Sequence, residues 1–68
     1  MNGDTLQRHR RAAGLTQHEL AERVNTTQPQ VCRWERSGAY DVRTISRLAE
    51  ALGLPVRVLL MDTIDGAV

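Results

Sequence analysis

Thr16-Gln17-His18-Glu19-Leu20-Ala21-Glu22-Arg23-Val24, followed by Asn25-Thr26-Thr27-Gln28-Pro29-Gln30-Val31-Cys32-Arg33-Trp34-Glu35-Arg36, is the stretch that decides the fold. Thr16 and Glu19 have the spacing of a capping box, in which each side chain accepts from the other residue's backbone N–H, and Leu15 and Leu20 occupy the two places of a hydrophobic staple. A helix therefore begins after Thr16 and turns Leu20, Ala21 and Val24 inward. Asn25 tolerates positive φ better than most residues with a side chain, so a tight turn follows. Thr27 and Gln30 repeat the capping-box spacing, and Val31 lies at the fourth helical position. Pro29 falls in a first turn, where its missing N–H is not needed. A second helix thus starts only a few residues after the first one ends.

The caps continue on both sides. Asp4 with Gln7 predicts the cap of an earlier helix with Leu6, Arg10 and Ala13 facing inward and Gly14 as its left-handed stop. Arg10 is then a charge on an apolar side. Downstream, Asp41 predicts the cap of a helix carrying Ile45, Leu48, Ala49 and Leu52 on one face, with Tyr40 and Ile45 as its staple and Gly53 as its stop. Pro55 opens a short fifth helix containing Val56, Val58, Leu59 and Leu60. From about residue 62 the periodicity fades and a flexible tail is expected. No stretch alternates apolar and polar residues as a strand would. The expectation is an all-α, compact five-helix domain spanning 1–68.

Sixty-eight residues bury only about 60% of their unfolded surface, which leaves little interior for a substrate cavity and disfavours an enzyme. The single Cys32 has no partner for an intramolecular disulfide. His9 and His18 sit on different helices, and His18 with Glu22 supplies two ligands where zinc wants three or four, so neither metal nor cofactor is expected. There is no Ser, His and Asp arrangement and no glycine-rich phosphate loop. The first four residues lack the apolar stretch of a secretory signal, and no run of about 18 apolar residues exists to span a bilayer. A reducing cytoplasm is the expected location. The formal charge is +1, but residues 1–40 carry six Arg against four acids and residues 41–68 three against four. Basicity is polarised towards the first half.

Two helices joined by about four residues, with the second well capped, form the geometry that lets one helix enter the DNA major groove. At roughly 100° per residue, Gln28, Cys32, Arg36, Pro29 and Arg33 fall within an arc of about 140°, while Val31 and Trp34 lie opposite as anchors. Gln pairs bidentately with adenine N6 and N7, and Arg with guanine O6 and N7. An ordinary solvated face is the competing reading of that arc. Gln30 points away from it and is explained by its capping position. Cys32 fits a small filler or a contact to a thymine methyl group. Gln17, first in its helix, can hold a phosphate oxygen together with free backbone N–H groups. Arg8, Arg11 and Arg43 are candidates for phosphate or minor-groove contacts, with a solvated face as the alternative for Arg8 and Arg11.

The run from Gly14 to Val24, the run from Thr26 to Arg36, and Leu48-Ala49-Glu50-Ala51-Leu52-Gly53-Leu54 together resemble the helix-turn-helix family of lambdoid phage repressors and Cro proteins. The resemblance covers nearly the whole chain. It implies a third helix that reads bases from Gln28, Pro29 and Arg33, with Gln17 and Arg36 on phosphates; Cys32 is a further candidate for base reading, and Thr16 and Thr27 are further candidates for phosphate contact. It also implies that Arg43 reaches the minor groove near the dyad and that Arg10 pairs with Glu35. Val56 and Val58 match the dimer contact. Asn25 in place of the usual turn glycine, Pro29 and Cys32 depart from the family pattern, and they bear on which operator sequence is read. The function expected is a sequence-specific transcriptional regulator, a repressor that binds a palindromic operator on double-stranded DNA as a homodimer, with its third helix in the major groove. Two alternatives share the fold: the antitoxin of a toxin and antitoxin pair, with a toxin or other regulatory protein as partner, and a protein-interaction adaptor that has lost DNA binding.

Overall fold

The computed structural model describes the backbone of residues 1–65 and the side chains of residues 1–60. Five helices follow one another, and there is no strand among the described residues: α1 (Gly3–Ala12), α2 (Gln17–Arg23), α3 (Gln28–Ser37), α4 (Val42–Leu52) and α5 (Val56–Asp65). α3 packs against both α1 and α2, while α5 packs against α4 and α1. α5 runs to Asp65, so the tail expected from about residue 62 falls partly within that helix, and its last three residues lie outside the described residues.

The caps account for most of the boundaries. Thr16 and Glu19 form the complete capping box of α2: Glu19 N donates to Thr16 Oγ1 at 3.0 Å, and Thr16 N donates to Glu19 Oε1 at 2.8 Å. Asp41 caps α4 by accepting from Thr44 N at 3.1 Å, and Gly53 ends that helix in the left-handed region. Asn25 holds φ 60°, the conformation the turn between α2 and α3 requires.

Four local expectations are corrected. α1 is capped by Asn2, whose side chain accepts from Asp4 N at 2.8 Å, so Asp4 sits inside the first turn rather than at the cap. Its carboxylate still stands favourably at the positive end of the helix dipole. Ala13 is exposed, because α1 ends at Ala12 and the chain has begun to turn. Thr27 is the N-cap of α3 but makes no side-chain cap hydrogen bond, so the second capping box does not form. Gln30 lines a hollow together with Thr27, Trp34 and Leu48. Tyr40 does not staple Ile45; it is 67% exposed, and its ring lies over Gly38.

The core is one cluster in which Leu6, Leu20, Val31, Ile45, Leu48 and Leu59 are fully buried, joined by Leu15, Ala21, Val24, Ala39 and Ala49. Each such large side chain contributes roughly 1.5–3 kcal/mol by leaving water. Trp34, Leu52, Val56 and Leu60 close the cluster from its edges as half-buried residues. Met1 is a further core member that its sequence context does not announce. Its side chain is fully buried, its nitrogen donates to Ala39 O at 2.8 Å, and its carbonyl accepts from Ala39 N at 3.0 Å. Two arginines brace the end of α2 against α4: Arg23 donates to Ala51 O at 3.4 Å, and Arg47 donates to Val24 O.

Candidate nucleic-acid interface

α3 is a short rod with a buried root and a polar outer side. Val31 and Glu35 are buried, Trp34 is half-buried against the core, and Gln28, Pro29, Arg33 and Arg36 are exposed. The period of 3.6 residues per turn separates these two sets. Pro29, Cys32, Arg33, Arg36 and Ser37 line one open hollow of about 360 Å³ on the outer side. Cys32 is half-buried within that lining. Two guanidinium groups and an amide therefore project from one flank of a helix that is pinned by the other flank.

The starts of α2 and α3 come together beside that surface. Gln17, at the first position of α2, donates from Nε2 to Glu35 Oε1 at 3.0 Å. Gln28, at the first position of α3, donates from Nε2 to Gln17 Oε1 at 3.4 Å. Thr16 and Thr27 are the N-caps of the same two helices, so both helix N-termini open on this side. Free N–H groups at a helix start, reinforced by the dipole, are suited to an anion such as a phosphate. Thr16 already uses its oxygen in the capping box, whereas the Thr27 side chain makes no cap bond.

Beneath the surface lies the charge on the apolar side of α1. Arg10 Nε donates to Glu35 Oε2 at 2.6 Å, Arg10 Nη2 to Glu35 Oε1 at 3.3 Å, and Arg10 Nη1 to Leu15 O at 2.7 Å. The pair is nearly dry, with side-chain exposures of 10% and 3%. A buried ion pair of this kind tolerates burial only because its hydrogen bonds are satisfied. Glu35 accepts from three donors on α1 and α2, so it locks three helices at one point.

The remaining candidates lie further out. Arg8 and Arg11 are exposed on α1 and share a shallow hollow with Asp4 and Gln7. Arg43 is exposed in the first turn of α4. Val56 and Val58 are half-buried at the start of α5, Val56 against the core. Among the described residues no group of three or more His, Cys, Asp or Glu could hold a metal, and no helix is long and apolar enough to cross a membrane.

A family model described as Helix-turn-helix matches residues 6–59, from the first core leucine of α1 to the buried leucine of α5. The chain belongs to this helix-turn-helix family, of the repressor and Cro type. The family is one of DNA-binding regulators rather than catalysts, which makes DNA the partner of this domain and transcription regulation its work. α2, the turn at Asn25 and α3 are the helix-turn-helix itself. Sequence reasoning did not find the hydrogen bonds from Gln17 to Glu35 and from Gln28 to Gln17, or the braces from Arg23 and Arg47. The first two link residues 11 and 18 positions apart, a separation at which no local spacing signals contact.

Proposed function

We propose that this helix-turn-helix protein is a repressor that binds a palindromic operator as a homodimer, with α3 in the major groove. The observation that carries the reading is the exposed Gln28, Pro29, Arg33 and Arg36 flank of α3, set opposite buried Val31. Gln28 and Arg33 have the donors and acceptors to read adenine and guanine edges, and Pro29 and Cys32 supply apolar contact to a thymine methyl group. Thr16, Gln17, Thr27 and Arg36 hold phosphates along the groove, and Arg43 and Arg11 extend that contact to flanking backbone or minor groove. Val56 and Val58 form the contact between protomers, which would set two recognition helices about 34 Å apart. Repression follows from occupying a promoter in the cytoplasm, and the domain catalyses nothing.

Selection of bound duplexes from a randomised pool, at two salt concentrations, tests this. A dyad-symmetric site should emerge, and its affinity should fall with salt as phosphate contacts release counterions. Arg33→Ala should weaken the selected site by about 1–3 kcal/mol and relax preference at one base pair. Gln17→Ala should lower affinity for every sequence, because it removes a phosphate contact. If no duplex is retained at low ionic strength, the reading fails.

A further inference from the structure

We propose that Glu35, which lies beneath the recognition surface, determines base specificity by fixing which end of the Gln28 amide faces outward. The inference rests on the reading that Gln28 meets a base edge. Glu35 Oε2 accepts from Arg10 Nε at 2.6 Å, and Oε1 accepts from Gln17 Nε2 at 3.0 Å. A carboxylate only accepts, so Gln17 can meet it only with its NH₂ end. The Gln17 carbonyl oxygen is thereby turned away from Glu35, and Gln28 Nε2 donates to it at 3.4 Å. That contact is long for an N–H···O bond. Reversing the Gln28 amide, however, would set two carbonyl oxygens against each other.

Gln28 therefore uses one N–H on Gln17 and keeps one N–H donor and its carbonyl acceptor. That set matches adenine, which presents the N7 acceptor and the N6 donor in the major groove. Guanine presents two acceptors, O6 and N7, and asks for two donors that Gln28 held in this way does not have. Hydrogen-bond polarity is handed from the buried pair to Gln17 and on to Gln28. Glu35 is a positioning residue, acting on the DNA through two intervening amides, those of Gln17 and Gln28. In Glu35→Gln the new amide can also donate, so Gln17 can reverse and present its NH₂ to Gln28. Gln28 then accepts from it and frees both of its N–H groups for guanine.

The test uses the whole chain and duplexes selected from a randomised pool. The base pair whose preference is lost in Gln28→Ala is identified first, and binding is then compared for adenine and guanine at that position. Glu35→Gln and Gln17→Met should each lower the adenine-to-guanine ratio about tenfold. The double variant should lower it no further, and preferences elsewhere in the site should persist. A Glu35 that merely held the fold would weaken both duplexes alike and leave the ratio intact, and that result overturns the proposal. Should Glu35→Gln not fold, Gln17→Met leaves the buried pair in place, and an unchanged ratio there overturns it equally. A pool that yields no base pair dependent on Gln28 removes the base-reading role itself and this inference with it, an outcome distinct from an unchanged ratio.

Discussion

Gly3 of α1 faces Glu35 of α3 so closely that a Cβ built on Gly3 would stand 2.2 Å from the Glu35 carbonyl oxygen and 2.9 Å from that of Trp34. Both obstacles are helix backbone, which cannot swing aside as a side chain does. Only glycine lets the two helices approach so far, and their approach holds Arg10 against Glu35. Gly3→Ala should therefore destabilise the domain by about 1–3 kcal/mol, the usual cost of overpacking. Urea unfolding of the variant checks this, and a midpoint equal to that of the unaltered protein would contradict the packing described.

The Arg10 and Glu35 pair should show the asymmetry of buried charge. Arg10→Met leaves the Glu35 carboxylate with Gln17 as a donor but without its countercharge, at a cost of about 3–5 kcal/mol. A domain of this size holds only several kcal/mol in total, so the variant should be largely unfolded at room temperature. Replacing both residues, as Arg10→Met with Glu35→Leu, removes the uncompensated charge and should recover much of the loss. Unfolding curves for the single and double variants decide the matter, and a double variant less stable than the single one would sink it.

Much of this arrangement was legible in the sequence, and what was missed has a physical pattern. The box at Thr16 and Glu19, the stop at Gly53 and the positive φ at Asn25 are local bargains among neighbouring residues, so spacing alone exposes them. The inward face of α4 showed itself through the same short-range periodicity. Tyr40 and Thr27 failed as local signals for separate reasons: the Tyr40 ring lies over Gly38, and Gln30 N donates to the Thr27 backbone carbonyl at 3.1 Å rather than to the Thr27 hydroxyl. Met1, Arg23 and Arg47 were invisible because their partners stand 38, 28 and 23 residues away. The exposed flank of α3 was predictable from helical period, whereas the amide chain behind it depends on how three helices cross.

Acid should weaken α2 through Glu19. Its hydrogen bonds with Thr16, backbone first and side chain second, hold the Glu19 carboxyl below its ordinary pKa of 4.5. The folded protein thus binds that proton less readily than the unfolded chain, so the contribution is present above about pH 4.5 and is lost as the pH falls through the lower folded value. Glu19→Gln keeps a side-chain acceptor but does not titrate there. Thermal melts between neutral pH and pH 3 should show a shallower decline for Glu19→Gln than for the unaltered protein. Parallel declines would mean that other carboxylates govern acid unfolding.

The two cap threonines should separate stability from binding. Thr16 Oγ1 accepts from Glu19 N, so Thr16→Ala should cost about 1 kcal/mol of stability. In a domain of this length that lowers the melting temperature by about 4–8 °C. Thr27 caps α3 in position only, with no side-chain cap bond, so Thr27→Ala should leave the melting temperature nearly unchanged. If its free hydroxyl instead serves a phosphate, the same substitution should weaken DNA binding by about 1.5–3 kcal/mol, the worth of a hydrogen bond to a charged acceptor. Melting curves and binding isotherms on both variants make the comparison. A Thr27→Ala protein that melts early and binds normally would reverse the assignment, returning the hydroxyl to the fold and removing it from the DNA.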